Sequence, residues 1–543
     1  MPFKRLFEPR LDRPLPLWMI FPVIFAALYA SHFSLLGVPY YWDEAGYYIP
    51  AAWDFFRTGS LIPVTTLTNA HPPLPSVYLA LWWKTSGFLP EVTREAVLLV
   101  ASLGLLAVWR LAMRIMPVPS VAFWTTLLTG IYPIWFAQSS LAHADIFAAA
   151  FSLWGLVCVL PEGDHRPRAA ALWFAAAALS KETAIVIPLT LVAINLVHMF
   201  RSPKSERGRL LRESEWLASC VLPLAAWYGW HYSKTGFLFG NPEYLRYNAQ
   251  SNLDALRFLA AFGHRILHLT AHMNMFVPVL MTLAALMLAP RLETDGSERP
   301  SIPRPVLQRI FFLLLANALF FSLLGGALLT RYLLPMYPLV LLMAVVAFYR
   351  RVPYWHGIAA FSAAAFVVGL FVSPPYGFAP EDNLAYEHVV RLHLSGIAQL
   401  QHRYPGAVVL TAWPMSDELT RPELGYVKQP WDVVRIEDFT ASQIQIAAHE
   451  SDKYSAALVF STKYDPPPGI FTLGSRSQQL DERYFGLHHD LRPETIARML
   501  GGEMVWKRED QGMWVGLIRF NRQVEAHTGQ GMGPGAFIAR AAR

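Results

Sequence analysis

Apolar runs of about 20 residues recur along the first two-thirds of the chain, and a helix of that length is what a hydrocarbon core about 30 Å thick demands. The 543 residues are 54% hydrophobic and only 15% charged, which excludes an ordinary soluble domain. Candidate spans are 15–36, 94–115, 121–138, 146–160, 169–180, 183–200, 216–233, 273–290, 310–328, 333–349 and 355–373. Lys4, Arg5, Arg10 and Arg13 precede the first span. That span is long for a signal-peptide core and has no Ala-x-Ala site, so an uncleaved signal anchor is expected. Cys158 and Cys220 both fall inside apolar runs, so neither a disulfide framework nor a cysteine metal site is available.

Charge orients the spans. With the N-terminus in the cytoplasm, segments 1–14, 110–120, 161–168, 201–215, 291–309 and 350–354 are internal. The opposite segments, 37–94, 139–145, 180–182, 234–272 and 329–332, are longer in total yet hold fewer than half as many Lys and Arg. Cytoplasmic loops are the basic ones, so this orientation is favoured. It requires 74–89, with Pro75 and Trp82-Trp83-Lys84, to lie on the outer surface as an interfacial helix rather than to cross. After residue 373 the texture turns polar. Segments 406–413, 455–461 and 512–520 read as strands, and 384–404 and 440–450 as amphipathic helices. The domains expected are a membrane domain, 1–373, and an external α/β or α+β domain, 374–543, with a loose tail from about 522.

On this topology several charged residues share the external face. Asp43 and Glu44 stand in Tyr40-Tyr41-Trp42-Asp43-Glu44-Ala45-Gly46-Tyr47-Tyr48, just beyond the first span. Carboxylates there are costly to desolvate, which makes them candidates for acid–base work; capping of a short helix is the simpler alternative. Trp42 and Tyr48 could flank a sugar ring. His71 precedes Pro72-Pro73-Leu74, a stiff extended setting that suits an imidazole held against a phosphate or the start of a helix. Asp145, after His143-Ala144, opens a span, where a helix dipole alone also explains an acid. Lys181, in Ser180-Lys181-Glu182-Thr183, is either a turn residue or a ligand. Arg331, before Tyr332, opposes the dipole of the helix it begins, so an anion explains it better than capping. Segment 234–272, with Tyr244, Arg246, Tyr247, Arg257, His264, Arg265, His268 and His272, suits a cover over a lipid donor. No Gly-rich phosphate loop follows a strand, and even the longest internal loop, 291–309, is too short to hold a nucleotide site, so the activated group must come from a membrane carrier.

Taken together, Trp42-Asp43-Glu44-Ala45, His71-Pro72-Pro73-Leu74, Ala144-Asp145 and Arg331-Tyr332-Leu333-Leu334-Pro335-Met336-Tyr337-Pro338 resemble the motifs of the GT-C integral-membrane glycosyltransferases. The branch is that of protein O-mannosyltransferases and the lipid A aminoarabinose transferase, and the resemblance covers roughly residues 15 to 350. It implies a fold of about 11–13 transmembrane helices and inverting transfer from a polyprenyl-monophosphate sugar to a lipid, polysaccharide or protein acceptor. It implies Asp43 as the catalytic or acceptor-orienting carboxylate, and Arg331 and His71 near the donor phosphate; the residues themselves add Glu44 as a second catalytic candidate and Lys181 as a further phosphate ligand. Asp145 would be a second acidic site, and Trp42, Tyr48, His143 and Tyr332 would line the pocket. Members differ in metal use, so either no cofactor or a divalent cation is implied. Aminoarabinose transferases carry lysine before Pro-Pro where this chain has His71, a weaker, pH-dependent cation. The expected location is a bacterial inner membrane with the C-terminal domain periplasmic; nucleic acid is not a partner. The competing readings are the same chemistry on protein Ser/Thr and a non-catalytic lipid transporter or binding protein.

Overall fold

The computed structural model describes residues 16–66, 68, 71–239, 254–324, 328–464, 466, 482–485 and 490–521. Tyr244, Arg246 and Tyr247 of the expected cover, the four N-terminal basic residues and the expected loose tail lie outside them. The chain is mostly helical, and every candidate span falls on helix. The first elements are α1 (Leu17–His32), α2 (Ile49–Thr58), α3 (Leu74–Ser86), α4 (Pro90–Ile115), α5 (Pro119–Ile131) and α6 (Pro133–Gln138). Then come α7 (Ala144–Val159), α8 (Pro167–Ser180), α9 (Val186–Arg201), α10 (Lys204–Ser219) and α11 (Val221–Thr235). The last of this set are α12 (Ala255–Thr270), α13 (Phe276–Leu286), α14 (Arg304–Leu323), α15 (Tyr337–Arg351) and α16 (Trp355–Phe371).

Four helical segments, Leu17–Leu35, Pro90–Ile115, Glu182–Arg201 and Arg304–Leu323, are long and apolar enough to cross a membrane, and α12 with α13 forms a fifth, bent by 99°. The chain is an integral membrane protein. Proline starts α4, α5, α6, α8, α14 and α15, where its missing N–H costs nothing and its fixed φ is already helical. α3 has 13 residues; at 1.5 Å per residue it reaches about 20 Å. The polar insert Lys181 to Ile185 breaks α8 from α9 into a separate 3-10 turn, Glu182–Ile185.

Beyond α16 the chain makes a short turn, Pro380–Asp382, and then an α/β unit: α17 (Ala385–Arg403), β1 (Val409–Ala412), α18 (Met415–Thr420), β2 (Val433–Ile436), α19 (Ala441–His449), β3 (Ala456–Phe460), α20 (Pro493–Leu500), β4 (Glu503–Asp510) and β5 (Met513–Arg519). The sheet order is β2-β1-β3-β5-β4, parallel on the β1 side and antiparallel across β3, β5 and β4. β1 and β3 are buried along their whole length, consistent with covered faces. The sequence signal located β1, β3, β5, α17 and α19 and missed β2 and β4.

This unit sits on the turn that follows α1. Tyr40 N–H donates to Leu424 O (3.3 Å), Tyr426 Oη–H to Tyr40 O (3.0 Å), and Arg421 Nη2 to Thr65 O (2.7 Å). Trp413 packs edge-on against Trp42, ring centroids 5.1 Å apart. Gly46 is what allows this approach, because a Cβ there would stand 2.7 Å from Trp413 Cζ2. Gly46→Val is therefore expected to cost about 1–3 kcal/mol through overpacking. It should lower the melting temperature in detergent and speed proteolysis of the C-terminal unit, with recovery in Gly46→Val/Trp413→Leu. An unchanged melt would contradict this packing.

Candidate active site

The acidic pair divides. Trp42 sits at φ 44°, in the left-handed region that side-chain-bearing residues rarely enter. The chain then runs into a five-residue π-helical turn, Glu44–Tyr48, a form that recurs at functional sites. Glu44 turns inward. Its carboxylate takes both terminal nitrogens of Arg94, the Ala142 N–H (2.6 Å) and the Tyr41 N–H (2.9 Å). Arg94 also donates to Ser140 O (2.7 Å) and Pro39 O (3.2 Å). Both side chains are fully buried. The structure thus corrects one expectation: Glu44 does not join the other acids and has no coordination left for a substrate, because it ties three segments together.

Asp43 goes the other way, to Arg331. Arg331 lies in the 3-10 turn Thr330–Leu333, which Tyr337 anchors by donating its hydroxyl to Thr330 O (2.9 Å). The guanidinium meets three carboxylates. Nη2 bonds Asp43, Nη1 bonds Glu381, and Nε lies 3.3 Å from Asp145 Oδ2. Lys181 Nζ bonds the other Asp145 oxygen at 2.5 Å and stands 4.1 Å from the centre of the Tyr332 ring. Burial alone would lower the Arg331 pKa, but Glu381, Asp43 and Asp145 outweigh it and hold the cation well above its ordinary value. Arg331 side-chain exposure is 3%; for the acids it is 23% at Asp43, 2% at Asp145 and 5% at Glu381. Of these three, Asp43 has the accessible carboxylate.

His71, Tyr48 and His143 form the flank. His71 Nδ1 pairs with Glu182 Oε2 at 3.0 Å and its ring stacks on Tyr48, centroids 5.8 Å apart at 14°. Tyr48 also meets His143 at 5.7 Å. His143 Nδ1 pairs with Gln138 Oε1 at 2.9 Å, and burial, reinforced by Arg331 and Lys181, holds the ring well below its usual pKa. His143 is thus a buried neutral ring behind Tyr48 and does not line the cleft, contrary to expectation. Tyr47, Tyr48, His71, Pro72, Ser180 and Trp227 help to line a cleft that opens to solvent.

Sequence reasoning missed Glu381 and Asp382, although an acidic pair just beyond the last span is the same signal that selected Asp43 and Glu44. Asp382 accepts from the Thr330 hydroxyl and pairs with His272 Nε2 (2.9 Å), whose Nδ1 meets the Tyr376 hydroxyl at 3.0 Å. This chain holds the turn that carries Arg331. Two further cations, Arg257 and Arg265, are buried on one face of α12. Arg265 donates to Leu329 O (2.7 Å) and Phe321 O (3.4 Å), and its guanidinium lies 5.7 Å from the Tyr332 ring centre. Arg257 donates to Tyr484 O (3.2 Å) and Leu324 O (3.5 Å). Among the described residues neither has a carboxylate partner, and Arg257 Nη1 and Arg265 Nε lack any hydrogen bond. Among those residues no group of three or more His, Cys, Asp or Glu is placed to hold a metal ion.

No family model and no curated protein matches the sequence. Among solved structures, ArnT from Cupriavidus metallidurans bound to undecaprenyl phosphate superposes with a TM-score of 0.54 at 15% identity, over 92% of this chain and 97% of that one. The apo state of ArnT from the same organism gives 0.54 at 14%, over 92% and 98%. The mycobacterial arabinofuranosyltransferase AftD gives 0.42 at 14%, over 83% of this chain and 35% of its own.

Removing Arg94 while Glu44 stays buried leaves an unpaired charge, a change worth about 3–5 kcal/mol. Arg94→Leu is expected to lower the melting temperature sharply, and Arg94→Leu/Glu44→Gln to regain part of the loss. Equal melts for the single and double variants would show that the pair is not coupled. Over 92% of its length, the chain has the GT-C fold of ArnT.

Proposed function

We propose that the protein is an inverting glycosyltransferase of a bacterial inner membrane, taking its sugar from a polyprenyl-monophosphate carrier on the external face. The observation that carries this reading is the accessibility of Asp43 within an otherwise closed set of charges. It alone of the three acids on Arg331 can meet an acceptor. Support for the carrier comes from the ArnT fold, in a protein solved with undecaprenyl phosphate, and from the cations. A buried guanidinium without a counter-ion is costly; among the described residues Arg257 and Arg265 have no carboxylate partner, they share one face of α12, and Arg265 lies beside Tyr332. Phosphate matches their fork geometry. Arg331 is already filled by carboxylates, so in this reading it orients Asp43 and the phosphate falls to Arg265, Arg257 and His71.

In the reaction, the Asp43 carboxylate takes the proton of the acceptor hydroxyl as that oxygen forms a bond to the anomeric carbon. The bond from that carbon to the phosphate oxygen breaks on the opposite face, and the electron pair leaves with the lipid phosphate. Attack opposite to departure inverts the anomeric centre. The cations need only stabilise the charge that grows on the departing phosphate. The basic loops support a cytoplasmic N-terminus and an external site.

Purified protein in lipid, given a set of radiolabelled polyprenyl-monophosphate sugars, is expected to release or transfer one of them. Asp43→Asn should lower turnover about 10²–10⁴-fold while still binding the lipid. Failure to bind any polyprenyl phosphate would overturn the assignment. Arg265→Leu removes charge-assisted bonds worth about 1.5–3 kcal/mol, so it should weaken carrier binding about 10- to 100-fold. Carrier affinity equal to wild type would take Arg265 out of the phosphate site.

A further inference from the structure

Glu381 lies in the turn between the last apolar helix and the C-terminal sheet, yet its carboxylate belongs to the membrane-side cluster. Its position is fixed by backbone bonds on both sides. Gln138 Nε2 donates to Glu381 O at 3.4 Å. Asn383 Nδ2 donates to Gly369 O at 3.2 Å, and Asn383 Oδ1 accepts from Ala385 N–H at 2.9 Å. Tyr386 then meets the Ser140 hydroxyl at 3.2 Å. The carboxylate is therefore delivered to Arg331 by the fold.

The charges do not balance. Asp43, Asp145 and Glu381 face two cations, Arg331 and Lys181. With all three acids ionised, this set carries one net negative charge. A closed site of that kind retains a proton more readily than water would allow. The groups around Glu381 are Arg331 on the 330–333 turn, Asp43 and Tyr41 after α1, Asp145 at the start of α7 and Asp382 beside it. Asp382 is itself held by His272 and Thr330. Burial first, and then the charges of Asp43, Asp382 and Asp145 against that of Arg331, push the Glu381 carboxyl up to about 8.

We propose that Glu381 is a positioning residue for Asp43: it draws on the same guanidinium, and so sets the orientation and charge environment of the acid that meets the acceptor. This rests on Asp43 as the proton acceptor. While Glu381 holds a proton, Arg331 is left to Asp43 and Asp145. When Glu381 ionises, it claims one edge of the guanidinium and adds negative charge beside Asp43, which favours proton uptake there. Turnover then rises as the pH passes through the ionisation of Glu381. Because the proposed function gives the donor phosphate to Arg265, Arg257 and His71, donor KM is not expected to follow that step. The chemistry in the membrane is thereby tied to the seating of the C-terminal unit, whose linker carries Glu381.

The test is the pH profile of kcat and of donor KM, with the full chain in lipid and the labelled donor, for wild type, Asp43→Asn, Glu381→Gln and Glu381→Asp, with a melting curve for each. Wild type is expected to show an alkaline step in kcat. Glu381→Gln should lose the step, staying several-fold below wild type above it, with donor KM unchanged. Glu381→Asp, which keeps the charge on a shorter arm, should retain a displaced step, and it carries the test alone if Glu381→Gln does not fold. An unmoved step in both variants overturns the proposal, as does a loss seen only through donor KM or melting. Wild-type turnover that Asp43→Asn does not reduce would instead sink the role of Asp43, and this proposal with it.

Discussion

A guanidinium removed from water is costly unless anions or carbonyls take up its charge, and Arg331 meets that constraint with three carboxylates from distant parts of the chain. Asp43 comes from the turn after α1, Asp145 from the first turn of α7, and Glu381 from beyond α16. None of them is close to Arg331 in sequence, so the cluster exists only once the helices have packed. Other features follow from it. Asp145 needs a second cation, and the polar break between α8 and α9 supplies Lys181. The turn that bears Arg331 must not drift, and the chain from Thr330 through Asp382 and His272 to Tyr376 holds it.

The neighbours Asp43 and Glu44 show how one backbone step separates chemistry from architecture. Successive residues of a helical turn point in different directions, and the left-handed Trp42 sets where that turn begins. Glu44 is spent on Arg94 and two backbone amides, which lock the loop before α7 to the turn after α1. Asp43, one step earlier, turns to Arg331 and stays partly exposed. Sequence alone could not distinguish the two, because both are acids at the same exit from the same span.

The apolar runs were legible because length and hydrophobicity are local properties. Every candidate span falls on helix, and 74–89 falls on α3. β1 and β3 were legible as short buried runs. β2 has only four residues with Arg435 among them, and β4, Glu503 to Asp510, is an edge strand whose charges hide its period while guarding the edge. In the site, Asp43, Asp145, Lys181 and Arg331 were legible as charges where charge is costly, and the structure brings them together. Glu381 was not, because Ala379-Pro380-Glu381-Asp382-Asn383 has the composition of a turn and its partner, Arg331, lies beyond both α15 and α16 in the chain.

Composition separates a membrane part from a C-terminal α/β part, but the hydrogen bonds do not respect that division. Tyr426, Leu424 and Arg421 reach the segment after α1, Trp413 covers Gly46, and Glu381 reaches Arg331. A linker that contributes a charged residue to the cluster cannot shift without changing the partners of Asp43. The accessible acid thus lies where the two parts meet. The cations of α12, Arg257 and Arg265, lie on one face of that helix, and the aromatic and proline walls of the cleft lie on the α3 side.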